Sequence, residues 1–169
     1  MRRGKALHFI VGLSMVAACG LDYQGIDVPL KRAPDLARAR EGDVKAMHSL
    51  CYDFTYGKGG LPLNGERARL WCAAAAERGN SSCQTLYAQL LDQGQGGPSD
   101  PKAAARWYAV AAGQGHIHAI FMLGNMYAEG RGVPRDKAVG DSLLGLAKQQ
   151  GYDTTAASDQ DSWRARRRT

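Results

Sequence analysis

Ser99, Asp100, Pro101 and Lys102 form an S-x-x-K tetrad, the spacing that sets a serine nucleophile on the first turn of a helix with a lysine one turn along to move its proton. The chemistry needs further parts, and no Lys-Thr-Gly follows, while Ser158-Asp159-Gln160 departs from Ser-Asp-Asn. The tetrad reads more simply as a helix start: Asp100 supplies a capping oxygen and Pro101 takes the first helical position, where its missing N–H costs nothing. For metals, His48 and Cys51 lie on adjacent turns of one helix, and His116 and His118 flank a single Ile. Neither pair has a partner at zinc spacing, and His116 reads as a polar turn residue. The clusters Gly57-Lys58-Gly59-Gly60 and Gly94-Gln95-Gly96-Gly97 lack both G-x-x-x-x-G-K-[ST] and a preceding strand, so they read as turns rather than phosphate cradles. No catalytic residue, cofactor or metal is expected.

The thiols say more. Arg2, Arg3 and Lys5 precede an apolar run from Ala6 to Val16, which closes on Ala17-Ala18-Cys19. That order of basic, apolar and small residues is the order of a signal peptide, too short to span a bilayer at about 20 residues. Val16-Ala17-Ala18-Cys19 resembles the lipobox of bacterial lipoproteins, which implies cleavage after residue 18 and acylation of Cys19. A plain secretory signal that contains a cysteine is the alternative. Two or three acyl chains, at about 0.8 kcal/mol for each buried methylene, anchor a protein stably without crossing the membrane. Gly20 follows where Asp would direct inner-membrane retention, so the resemblance implies the periplasmic face of the outer membrane.

Export also redistributes the charge. The chain of 169 residues carries a formal +6, but three of its 22 basic residues belong to the signal segment and four more (Arg164, Arg166, Arg167, Arg168) crowd the last six positions. Residues 19 to 163 are close to neutral. A basic isoelectric point ordinarily raises nucleic-acid binding. Here the charge sits at the two ends and the compartment is wrong, so no nucleic-acid partner is expected.

A repeat sets the helices that carry these residues. Trp71 and Trp107 stand 36 apart, as do Pro62, Pro98 and Pro134, and Gly79, Gly115 and Gly151. One residue is inserted in the first unit near Gly60-Leu61, which is cheap in a turn. Each unit reads as two helices. The first helices carry Ala46, Met47, Leu50, Cys51 and Phe54, then Cys83, Tyr87, Ala88 and Leu91, then Ala119, Ile120, Leu123, Gly124 and Tyr127, apolar stripes of helical period. The second helices carry small residues: Ala68, Cys72 and Ala75, then Ala104, Tyr108 and Ala111, then Gly140, Leu144 and Ala147. Asn64, Asp100 and Asp136 cap their starts, and Gly79, Gly115 and Gly151 end them. Gly140 and Gly145 each cost about 1 kcal/mol relative to Ala inside a helix, so the last helix is expected to be the softest.

Ala119-x-x-x-Leu123-Gly124-x-x-Tyr127-x-x-Gly130-x-Gly132-Val133-Pro134-x-Asp136 and Trp107-Tyr108-x-x-Ala111-Ala112-x-x-Gly115 resemble the Sel-one-like repeat, a relative of the tetratricopeptide repeat. The resemblance implies an all-α, short right-handed α-solenoid of about three helix-turn-helix repeats. Leu36 to Gly42, similar to the tail of a second helix, adds an N-terminal half repeat. The expected division is a signal peptide over 1–18, a tether from lipidated Cys19 over 19–33, the solenoid over 34–152, and a polar, basic tail over 153–169. That tail is either a capping helix or disordered. A cysteine-rich branch of the family is described as binding or weakly hydrolysing β-lactams, which keeps an enzyme as the rival reading.

Cys51 lies about five residues before its helix ends and Cys72 about seven after the next begins, so a rise of 1.5 Å per residue sets them nearly level across an antiparallel pair. Cys72 and Cys83 differ in level by roughly 9 Å on the same rise, beyond disulfide reach. Cys51 and Cys72 are therefore expected to be bonded or buried side by side, with Cys83 a free core thiol. In tetratricopeptide-like stacks the first helices line the concave side. Opposite the apolar stripe they carry Lys45, His48, Tyr52, Thr55 and Tyr56, then Ser82, Thr85, Gln89 and Asp92, then His118, Asn125 and Glu129. This face is the expected binding surface for a protein or peptide partner in the bacterial envelope, with membrane attachment through the lipid on Cys19. A structural role in a larger envelope assembly is the further alternative.

Overall fold

The computed structural model describes residues 32–152. They form α1 (Ala33–Arg40), α2 (Val44–Tyr56), α3 (Gly65–Glu77), α4 (Ser81–Gln93), α5 (Pro101–Gly113), α6 (Ile117–Glu129) and α7 (Lys137–Gln149), with no strand among the described residues. The signal segment, Cys19, most of the tether and the basic tail lie outside them.

Helix starts follow local hydrogen-bond chemistry. The first N–H groups of a helix have no partner within it, and a short polar side chain supplies one. Asp43 accepts from the N–H of Lys45 and Ala46, Asn64 from Arg67, Asn80 from Cys83, Asp100 from Ala103 and Asp136 from Val139. His116 heads α6 without a side-chain cap. The first helices end on Gly57, Gly94 and Gly130 in the left-handed region, which a residue lacking Cβ adopts without penalty.

Neighbouring helices pack in sequence, α1 on α2 through to α6 on α7, and α2 also touches α4. The half repeat is present as α1, whose Leu36 and Ala39 are buried. Two clusters of buried side chains run through the stack, one around Met47, Leu50, Phe54 and Trp71, the other around Ala88, Tyr108, Ala119 and Met126.

One pair of positions shows how each unit closes. In the first unit Cys51 and Cys72 form a disulfide with Cα atoms 4.8 Å apart. Their counterparts are Ala88 and Tyr108, both fully buried in one cluster, then Gly124 and Leu144. A Cβ on Gly124 would lie 3.0 Å from Leu144 Cγ. Where the crosslink is missing, a small residue on the first helix receives a large one from the second. Interior packing is dense enough to demand such exchanges of volume.

Units are joined by close backbone approach. A Cβ on Gly96 would overlap the carbonyl of Gly65, and one on Gly132 would overlap that of Pro101. The second glycine of the last two Gly-x-Gly turns thus seats against the start of the preceding unit's second helix, while Gly59 in the first turn faces the Arg32 and Asp53 side chains. Arginines reinforce the joint: Arg69 Nη2 donates to the carbonyls of Leu90 at 3.1 Å and Pro98 at 3.0 Å, and Nε to that of Gln95 at 3.1 Å. Arg32, at the matching place in the half repeat, pairs with Asp53 and donates to Ser49 Oγ at 3.2 Å. At the far end Asp141 stands where the second unit has buried Ala105, and pairs with Lys137 at 2.6 Å on the surface. A polar outer face suits the terminal unit of a stack.

Candidate functional site

The off-stripe positions of α2 divide in two. Tyr52 is 40% exposed, Lys45 is exposed, and His48 and Tyr56 are half-buried. The Tyr52 and Tyr56 rings lie one turn apart with centroids 4.6 Å from each other, and Tyr56 also packs on the apolar cluster beneath. Burial, followed by the neighbouring Tyr52, pushes the Tyr56 hydroxyl above its ordinary value. Thr55, expected on the open face, is buried, and its Oγ1 donates to the Cys51 carbonyl at 2.7 Å.

The second and third units correct the expectation further. Ser82 is exposed and Gln89 half-buried. Thr85 is buried; its Oγ1 bonds to the Ser81 carbonyl at 2.9 Å and meets His116 Nδ1 at 3.1 Å. The Asp92 carboxylate, only 5% exposed, is paired with Arg131. Thr55, Thr85 and Asp92 are therefore not available as contact residues. A first helix is covered by the units before and after it as well as by its own partner, so its buried arc is wider than its apolar stripe. In the third unit His118 and Asn125 are half-buried and Glu129 is exposed, the last accepting from Arg131 Nε at 3.0 Å.

Two features escaped the sequence reading. Lys58, in the turn after α2, donates from Nζ to the Tyr52 hydroxyl at 3.1 Å and lies 5.0 Å from the Tyr52 centroid and 5.9 Å from that of Tyr56. Its place between the two glycines of the turn, shared with Gln95 and Arg131, is the signal that could have found it. The second is Phe121, which stacks on Tyr152 with centroids 4.4 Å apart, while the Tyr152 hydroxyl lies 2.7 Å from His118 Nδ1. Tyr152 follows His116 by one repeat, and both reach back to the preceding first helix.

The residues singled out for chemistry stand apart from one another. Ser99 precedes the cap residue Asp100 rather than riding the first turn of α5, and its Oγ donates to the Asp92 carbonyl at 2.8 Å. That bond ties the hydroxyl back to the end of α4. Burial lowers the His116 imidazole below its ordinary value. Cys83 is buried and free, and burial pushes its thiol up to about 12, so its reactive thiolate form is scarce. Among the described residues no group of three or more His, Cys, Asp or Glu is placed to hold a metal, and no helix is long and apolar enough to cross a membrane.

The arrangement is a row of first helices with a partly open face, and the comparisons with known proteins agree with it. The Sel1 repeat model matches residues 44–80, 81–116 and 117–152, and these bounds fall at the ends of the three helix pairs. A protective antigen of uropathogenic Escherichia coli with an SLR fold is 27% identical, with a TM-score of 0.67 over 70% of this chain. This chain spans only 25% of that protein. A Sel1 repeat protein from Oxalobacter formigenes is 30% identical, with a TM-score of 0.62 over 76% of this chain and 96% of its own. Helicobacter pylori cysteine rich protein B, at 19% identity and a TM-score of 0.57 over 73% of this chain and 93% of its own, shares the fold. No curated protein sequence matches the chain. Three contiguous repeat matches, each one helix pair long, cover most of its length, and the chain belongs to the Sel1 repeat family.

Proposed function

We propose that this chain is an exported, lipid-anchored interaction module of the bacterial envelope, an adaptor or regulator that takes a protein or peptide partner on the face of its first helices. Sel1 repeat proteins are commonly protein-interaction modules, and the observation that carries the reading here is Tyr52. It is a large aromatic ring, 40% exposed, on a helix that the Cys51–Cys72 bond ties to α3 through the neighbouring residue. Aromatic side chains bring wide contact at low entropic cost and dominate interface hot spots, and a rigid element holds them better than a loop. The anchor rests on Cys19 and the signal-like residues before it. The outer membrane rests on Gly20.

Two measurements on intact cells test this. Metabolic labelling with palmitate should mark the protein and should be abolished by Cys19→Ser; equal labelling of that variant would remove the anchor from the account. After crosslinking of the envelope, Tyr52→Ala should recover less of the partner than wild type, whereas Val110→Ser, on the exposed side of α5, should recover as much. Equal recovery by both variants would place the surface elsewhere.

A further inference from the structure

We infer that the first unit's face is built for an acidic peptide, one that sets a carboxylate on Lys58 and a large apolar side chain against Tyr52 and Leu63. The inference rests on the reading of that face as the recognition surface and names the chemistry it selects.

Charge is the first ground. The ionisable groups of α2, tyrosines aside, are Lys45, His48 and Asp53. The Asp53 carboxylate is buried and held by Arg32, which also pairs with Asp35 at 2.8 Å. Lys45 and Lys58 are exposed, and among the described residues neither has a carboxylate within ion-pair distance. The one acid of this helix is thus neutralised inward, and two ammonium groups are left outward. The third unit differs, because there Arg131 meets both Asp92 and Glu129. Of the residues between the two glycines of the three turns, Lys58, Gln95 and Arg131, Lys58 is the cation that no carboxylate meets among the described residues.

Geometry is the second ground. An ammonium carries three donors, and the Tyr52 hydroxyl takes one of those on Lys58. The electron-rich faces of two tyrosines hold the same ammonium near them. A lysine already localised gives up less side-chain entropy when it binds, which favours affinity. Apolar surface lies at hand: Leu63 is 54% exposed, and its Cβ sits 3.5 Å from where a Cβ on Gly57, the residue next to Lys58, would stand. An exposed leucine alone is ordinary. Packed against the same turn that carries the positioned ammonium, it offers apolar surface for a side chain while Lys58 takes the carboxylate. An anionic lipid surface also pairs apolar with negative chemistry, but two lysines supply only about 1 kcal/mol each toward it.

The test uses the purified chain and fluorescein-labelled peptides of twelve residues that alternate Glu with Leu and Phe, with Gln and Lys counterparts. Wild type should bind the Glu peptide about tenfold more tightly than the Gln peptide, the preference fading as salt rises. Lys58→Glu should erase that preference and turn it toward the Lys peptide, and Lys45→Glu should weaken it, both with unchanged helicity. Equal binding of Glu and Gln peptides, lost together in Tyr52→Ala, would overturn the acidic specificity and leave the recognition face standing. Binding that Tyr52→Ala leaves untouched would overturn both. Failure of every peptide, with Lys58-dependent binding to vesicles of phosphatidylcholine and phosphatidylglycerol, would overturn the inference in favour of a lipid surface.

Discussion

Tyr52 and Tyr56 sit one turn apart on α2 and do different work. Tyr52 stands over solvent and Tyr56 packs on the core, so Tyr52→Ala should change stability by no more than about 0.5 kcal/mol, whereas Tyr56→Ala should cost about 1 to 3 kcal/mol through the half-filled space it leaves. Chemical denaturation of the two single variants separates them. His116 offers a second contrast, because it heads α6 without capping it and its imidazole is depressed by burial. A group that favours its neutral form in the folded chain adds stability in full above its ordinary value of 6.5, and that stability is lost as pH falls through the lower folded value. His116→Asn should therefore flatten the acid side of the melting profile relative to wild type and gain about 1 kcal/mol from the new cap, less the lost bond to Thr85. A parallel profile would mean that the imidazole is not the titrating group. At this scale the sequence was only partly legible. Helical period marks what faces a helix's own partner, whereas Thr85 and Asp92 meet His116 and Arg131 far along the chain, which period does not encode, and Thr55 turns its hydroxyl back onto its own helix at Cys51.

Glycines separate the roles of elements. Gly132 has φ 73° and seats against the Pro101 carbonyl, while Gly145 lies inside α7 with nothing near its Cβ position. Gly132→Ala should cost more than about 1 kcal/mol, since left-handed backbone strain alone reaches that value and the overlap with Pro101 adds to it. Gly145→Ala should stabilise by up to about 1 kcal/mol through helix propensity. Thermal unfolding with opposite shifts for the two variants checks this; a Gly132→Ala variant that melts no lower than wild type would refute the assignment of Gly132 to the joint between units. Replacing Cys51 and Cys72 together by Ala should cost about 2 to 4 kcal/mol, the usual range for a bond closing a loop of this size. Repeat period, caps and turns were readable because each is a local pattern that recurs. The exchange of a disulfide for Ala88 with Tyr108, and then for Gly124 with Leu144, becomes visible only when the three units are laid over one another in space.

The described residues form a short one-dimensional stack whose helices pack in sequence, and three repeats are near the fewest that bury a continuous core. Damage at one interface should therefore spread. Leu50→Ala, at a fully buried site, should cost about 2 to 5 kcal/mol and shift fluorescence and circular dichroism transitions together, whereas a transition in two steps would show units that melt alone. The solenoid was legible at this scale because small residues at helical spacing and glycines at a 36-residue period leave few other folds open. Its open face was less so, because Lys58 belongs to a turn and its meeting with two tyrosine rings depends on where the turn folds back. Recognition is proposed to take place at that face. The most direct measurement places a photo-crosslinking amino acid at position 52, and separately at position 110 on α5, in living cells. Defined adducts are expected from position 52 and none from position 110; adducts from position 110 alone, or equally from both, would place the recognition surface elsewhere.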